Sequence, residues 1–209
     1  MSTESGTVHI KAAVPMLTLA QLASNGSRVW LNRRQLRWAL IGWFAVGAVP
    51  LALAGGLLLA RAPLEALQRL LGVFLLAMVL WRRMRPHPRP PADRSFILIG
   101  AGSGVGSALL GSVGPLTAPF FLAYGLTRAA YVGTEAAGAL TLHLTKLAAY
   151  GAGDLLTPAV LAYGVALTPA TLLGAWMGKR IVGRISERVF VVLIEIGLVA
   201  AAILFLLGA

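Results

Sequence analysis

The sequence predicts an all-α polytopic membrane protein, and three observations carry that prediction. Hydrophobic residues fill 58% of the 209 positions and charged residues only 12%, against roughly 25% charged in a soluble domain. Apolar runs recur at close to the ~20 residues that cross a bilayer as a helix. Strand-like alternation is absent, which argues against an outer-membrane barrel.

Along the chain, residues 1–7 read as a polar N-terminus, and helices are expected at about 8–30, 36–60 and 64–83. The basic, proline-rich RRMRPHPRPPADR (82–94) cannot continue a helix and divides the chain in two, with 84–94 as a cytoplasmic linker. The first half, 8–83, reads as one transmembrane repeat and the second, 95–209, as another. The second half opens with a helix at 95–111, a break, and a short apolar piece at 116–126. Helices at 130–152, 156–182 and 186–208 follow. MSTESGT contains no charged region leading into a cleavable apolar segment, so no signal peptide is expected.

The net charge of +11 sits in short links rather than on a patch, so it sets topology and does not point to nucleic acid. Arg28, Arg33, Arg34 and Arg37 lie in or beside the first link, five arginines lie in 82–94, and Lys179, Arg180, Arg184 and Arg188 flank the last. With these links in the cytoplasm, helices 8–30, 64–83 and 156–182 run inward while 36–60, 130–152 and 186–208 run outward. The segment 95–126 then starts and ends inside, as a broken, re-entrant hairpin. LTLAQLASNG (17–26) resembles LTLHLTKLAAYG (140–151), and PLEALQRLL (63–71) loosely echoes ISERVFVVL (185–193). Similar helices pointed in opposite directions are the mark of inverted-topology repeats in transporters.

The break GSVGP (111–115) is the first candidate site. Gly111 and Gly114 let the backbone turn, and Pro115 suits the first position of a new helix. Free N–H groups there favour an anion, with Ser112 as an added hydroxyl donor. A tight helix crossing is the competing reading, since Ser103, Ser107 and Gly111 form a small-residue stripe. GSGVG (102–106) lacks a preceding strand and the full dinucleotide-binding spacing, so it reads as helix packing.

His143, Lys146 and Tyr150 share one face of the 130–152 helix. A lysine deep in a membrane helix costs roughly 2.5–3.5 kcal/mol on insertion scales, so Lys146 is expected to face a cavity or a partner. It is the candidate counter-ion for an anionic substrate, with His143 and Thr145 as orienting groups. Thr18, Gln21 and Asn25 occupy the matching positions of the first helix and offer hydrogen bonds. Three roles stay open for Glu195: proton carrier, salt-bridge partner or dimer-seam residue. Glu135 reads as an ordinary acid near a helix start.

No paired carboxylates, HExxH or phosphate-cradling GKS/T motif appears, and the chain has no cysteine. No enzyme activity, cofactor or metal site is therefore expected, and transport would be secondary or passive.

The stretch GSGVGSALLGSVGPLTAPFFLAYGLTRAAYVGTEAAGALTLHLTKLAAYG (102–151) resembles the second-repeat signature of the sulfite exporter TauE/SafE family of membrane permeases. The elements are Gly111, Gly114, Pro115 and Pro119, then Gly125, Leu126, Ala130, Gly133 and Thr134. GAWMGKRIVGRISERVF (174–190) is similar to the family's repeat ending. The resemblance implies a multi-pass bacterial inner-membrane permease with two inverted repeats, moving sulfite, sulfonates or related small organic anions through the lipid bilayer. The family's first repeat also opens with a glycine-rich hairpin, which is expected to be missing here. Either the hairpin is lost or its residues are encoded upstream of this start; if it is lost, a second subunit could complete the site as a homo-oligomer, and the alternative is a non-transporting membrane scaffold for a partner subunit.

Overall fold

The computed structural model describes residues 2–58, 64–84, 90–110, 114–152 and 156–207. Among the described residues the regular structure is all helical: α1 (Ser2–Asn32), α2 (Trp38–Leu58), α3 (Leu64–Met84), α4 (Phe96–Leu110), α5 (Gly114–Ala123), α6 (Arg128–Ala152), α7 (Pro158–Arg184) and α8 (Glu187–Leu207). α7 and α8 are long and apolar enough to cross a membrane. Linker residues 85–89 and the break residues Gly111, Ser112 and Val113 lie outside the described residues.

Local chemistry accounts for the helix ends. α1 starts at Ser2, so residues 2–7 extend the helix instead of preceding it. α7 starts two residues after the expected position because Thr157 caps it, accepting from the Val160 amide at 3.3 Å, with Pro158 in the first turn. Ser186 accepts from the Val189 amide at 3.2 Å at the start of α8. Between α5 and α6, Gly125 has φ +78°, a left-handed turn that only glycine adopts without strain.

The closest packing joins α2 to α4. A Cβ on Gly47 would stand 1.9 Å from the Ile97 carbonyl oxygen, and one on Gly100 would stand 2.1 Å from that of Phe44. The two helices thus touch backbone to backbone, as small residues allow in a membrane. Gly100 and Gly104 serve this crossing, so within GSGVG the packing role falls to Gly104, whose added Cβ would stand 2.6 Å from the Ala48 carbonyl oxygen, while Gly102 meets nothing within 4 Å. Phe44, Phe96 and Phe121 close the core beside it, with ring centroids 6.1 Å and 5.0 Å from Phe121.

Contacts along each pair fix relative directions. Arg28 meets Glu135 while Thr18 meets Tyr150, so α1 and α6 run antiparallel. Arg83 meets Glu195 while Gly72 lies against Ala202, so α3 and α8 do too. Lys179 reaches Leu31 while Gly164 abuts Leu19, so α1 and α7 run parallel, as α2 and α6 do through Arg37–Thr134 and Phe44–Gly138.

One end of the bundle gathers the basic links. Tyr124 Oη donates to Asp93 Oδ1 at 2.8 Å, bringing the end of α5 back to the start of α4. Arg128 Nε donates to Glu187 Oε1 at 2.9 Å, joining the starts of α6 and α8. Tryptophans mark the same end. Arg33 lies over Trp30 at 4.3 Å, Arg94 over Trp43 at 5.8 Å and Arg180 over Trp176 at 3.9 Å. Trp38 and Trp81 adjoin Arg37 and Arg82 in sequence and are exposed.

Candidate functional site

Among the described residues, the buried ionisable side chains mark three groups, apart from the buried serines Ser103 and Ser107 on α4. The first lies where α1 crosses α6. Lys146 is 7% exposed and His143 3%; separated by three residues, they share the α6 face turned to the protein interior. Thr18 is buried and hydrogen-bonds Tyr150 across the crossing. His143 Nδ1 is buried without a hydrogen-bond partner, a state that asks for an explanation in any native structure.

The second group lies toward the basic end, eleven residues or about 16 Å along α6 from Lys146. Arg28 Nη2 donates to Glu135 Oε2 at 2.9 Å, and Arg28 Nη1 to Asn25 Oδ1 at 3.0 Å. Thr117 Oγ1 of α5 donates to Glu135 Oε1 at 3.4 Å. Glu135 is 6% exposed, which corrects its reading as an ordinary helix-start acid: it lies in the third turn of α6 and ties three helices together. Thr134 beside it accepts from the Arg37 amide at 3.1 Å. A Cβ on Gly133 would stand 2.8 Å from that of Asn32. The Gly133–Thr134 pair thus seats the α1–α2 link on α6.

The third group joins α3 to α8. Glu195 Oε2 lies 3.1 Å from Arg83 Nη2, and Oε1 lies 3.4 Å from Arg82 Nε. Of the roles open to Glu195, the geometry supplies the salt-bridge partner.

The expected site residues therefore divide. Lys146, His143 and Thr18 come together, whereas Asn25 belongs with Arg28 and Glu135. Gln21 is half-buried on α1 between the two groups. The Thr145 hydroxyl donates to the Thr141 carbonyl of its own helix at 2.9 Å. Gly114 is the first residue of α5, and Ser112 lies outside the described residues. No three His, Asp or Glu side chains gather as metal ligands among the described residues.

A cavity of about 730 Å³ opens between α1, α6 and α7 at the basic end, lined by Arg28, Arg128 and Lys179 among others. Sequence patterns gave no sign of it, because its cations come from three helices far apart in the chain. At the same end, the hydrogen bond to Asp93 pushes the Tyr124 phenol pKa above its ordinary value.

All-helical among the described residues, with apolar outer faces and ionisable groups buried between its helices, the bundle has the make-up of a helical membrane protein. The family model described as Sulfite exporter TauE/SafE matches residues 5–205, and the chain belongs to that family of membrane transporters. No curated protein and no solved structure matches it.

Proposed function

We propose that the protein is a secondary permease for small anions: sulfite, which the description of its family names, or sulfonates and related organic anions. The observation that carries this reading is the buried Lys146 on the same face as His143, whose Nδ1 lacks a partner. A buried cation next to an unsatisfied ring nitrogen offers one charge and one directional contact to an oxyanion. Thr18 and Tyr150 supply hydroxyls from the two helices that cross there.

Two inverted repeats are part of the proposal, with a re-entrant hairpin opening the second and multiple passes through the inner membrane. The parallel α1–α7 packing is mirrored by the parallel α2–α6 packing, and α1–α6 and α3–α8 are antiparallel pairs, as a two-fold axis in the membrane plane requires. The Tyr124–Asp93 bond supports the hairpin, because α4 and α5 have 15 and 10 residues, too short to span a ~30 Å core. Ser112 and Gly114 keep their proposed place as anion donors at the break.

Thermal melts in detergent against sulfite, sulfate, thiosulfate, taurine, sulfoacetate and carboxylates test the reading. A ligand at ~100 times its dissociation constant adds about 2.7 kcal/mol to stability. We expect a selective rise in Tm that disappears in Lys146→Met, while the mutant alone melts close to the wild type. A rise unchanged in Lys146→Met removes that residue from the site, and a flat panel favours the scaffold.

A further inference from the structure

The cavity between α1, α6 and α7 is not part of the Lys146 cluster, and its wall has a specific construction. α7 turns Gly174, Gly178 and Gly183 toward it, and a Cβ added to any of the three would meet nothing within 4 Å. The absent side chains are what leave the space open. At about 730 Å³ it falls within the ~300–1,000 Å³ of ordinary ligand sites.

Three cations from three helices converge on it. Arg28 comes from α1 and is also held by Glu135 and Asn25. Arg128 comes from α6 and pairs with Glu187, which lines the cavity too, and with the Val182 carbonyl at 2.9 Å. Lys179 comes from α7 and donates to the Leu31 carbonyl at the end of α1. A neutral carbonyl leaves the Lys179 charge uncompensated, and the three cations outnumber the two carboxylates around them.

Depth distinguishes this cavity from a buried channel site. Trp30 and Trp176, stacked under Arg33 and Arg180, flank it on α1 and α7. Indoles paired with arginines occupy the level of lipid headgroups. Basic pockets between helices at that level on the cytoplasmic side receive phosphate-bearing headgroups.

We infer that this cavity is a binding site for a phosphate-type oxyanion, carried either by an anionic lipid headgroup or by a free ion, with Lys179, Arg128 and Arg28 as its cationic wall. The site stands apart from the permease reading, and the two can fail separately.

The test compares Tm in detergent with added phosphatidylglycerol, with phosphatidylcholine, and with millimolar inorganic phosphate. One of the two anionic additions should raise Tm by about 3 °C or more, and phosphatidylcholine should not. A rise with phosphatidylglycerol alone assigns the occupant to the lipid; a rise with inorganic phosphate alone assigns it to the free ion. Gly178→Leu, which fills the cavity from the helix backbone, and Lys179→Gln, which keeps a donor for Leu31 without the charge, should each abolish the rise. Lys146→Met should keep it. Flat responses to both additions, or a rise that survives both cavity variants, overturn the inference. Native mass spectrometry of the wild type gives a reading independent of variant folding. There, equal retention of the two lipids, with no phosphate adduct, also overturns it.

Discussion

Arg28→Met should be among the most damaging single changes in the protein, lowering stability by about 3 kcal/mol. The loss comes from what stays behind. Glu135 is 6% exposed and would keep only Thr117, at 3.4 Å, of the side-chain partners described for it. Removing one member of a buried pair leaves a charge that neither water nor protein compensates. Arg28 itself is about one-third exposed, so the reverse change, Glu135→Gln, should cost less, because the guanidinium retains Asn25 and reaches water. The double variant Arg28→Met/Glu135→Gln should recover most of the loss, since no buried charge remains. Denaturant titration of the three proteins in detergent measures this directly. An Arg28→Met protein as stable as the wild type would show that the ion pair holds nothing together.

Gly100→Ala should have an effect of the same order, through a different cause. The new methyl would stand 2.1 Å from the Phe44 carbonyl oxygen, which belongs to a helix backbone and cannot turn aside. Relief requires α2 and α4 to separate, and the separation spreads to the contacts of Gly47 and Gly104. Overpacking of this kind costs about 1–3 kcal/mol, and a rigid backbone partner puts this case at the top of that range. Gly102→Ala, two residues away, meets nothing within 4 Å. It should instead gain up to about 1 kcal/mol from the better helix former. The pair is informative because both changes add the same methyl to the same helix. Equal melting temperatures for the two variants would refute the backbone-contact account.

How much of this was legible beforehand depends on the range of each interaction. Helix positions followed from apolar runs, which are local, although the Thr157–Pro158 cap that sets the start of α7 was not read and the helix begins two residues later than expected. The shared face of His143 and Lys146 followed from helical spacing, and so did the pairing of Thr18 with that region once α1 was matched to α6. Partners distant in sequence were not legible. Arg28 and Glu135 are 107 residues apart, and Arg83 and Glu195 are 112 apart. Each therefore looked like an isolated charge, Glu135 as a helix-start acid and Arg83 as part of a solvated connector. The basic cavity was hidden for the same reason, with a further one. Its volume comes from missing side chains on α7, and three glycines in a helix carry no signal of the space beside them.

The clustering of the tryptophans makes the protein its own optical marker. All the indoles of the chain sit at the arginine-rich end, so its ultraviolet emission arises from a single face of the membrane. In sealed vesicles with uniform insertion, a water-soluble quencher confined to one compartment would extinguish either most of that emission or little of it. With no label attached, the ratio of the two signals would report how the population is inserted.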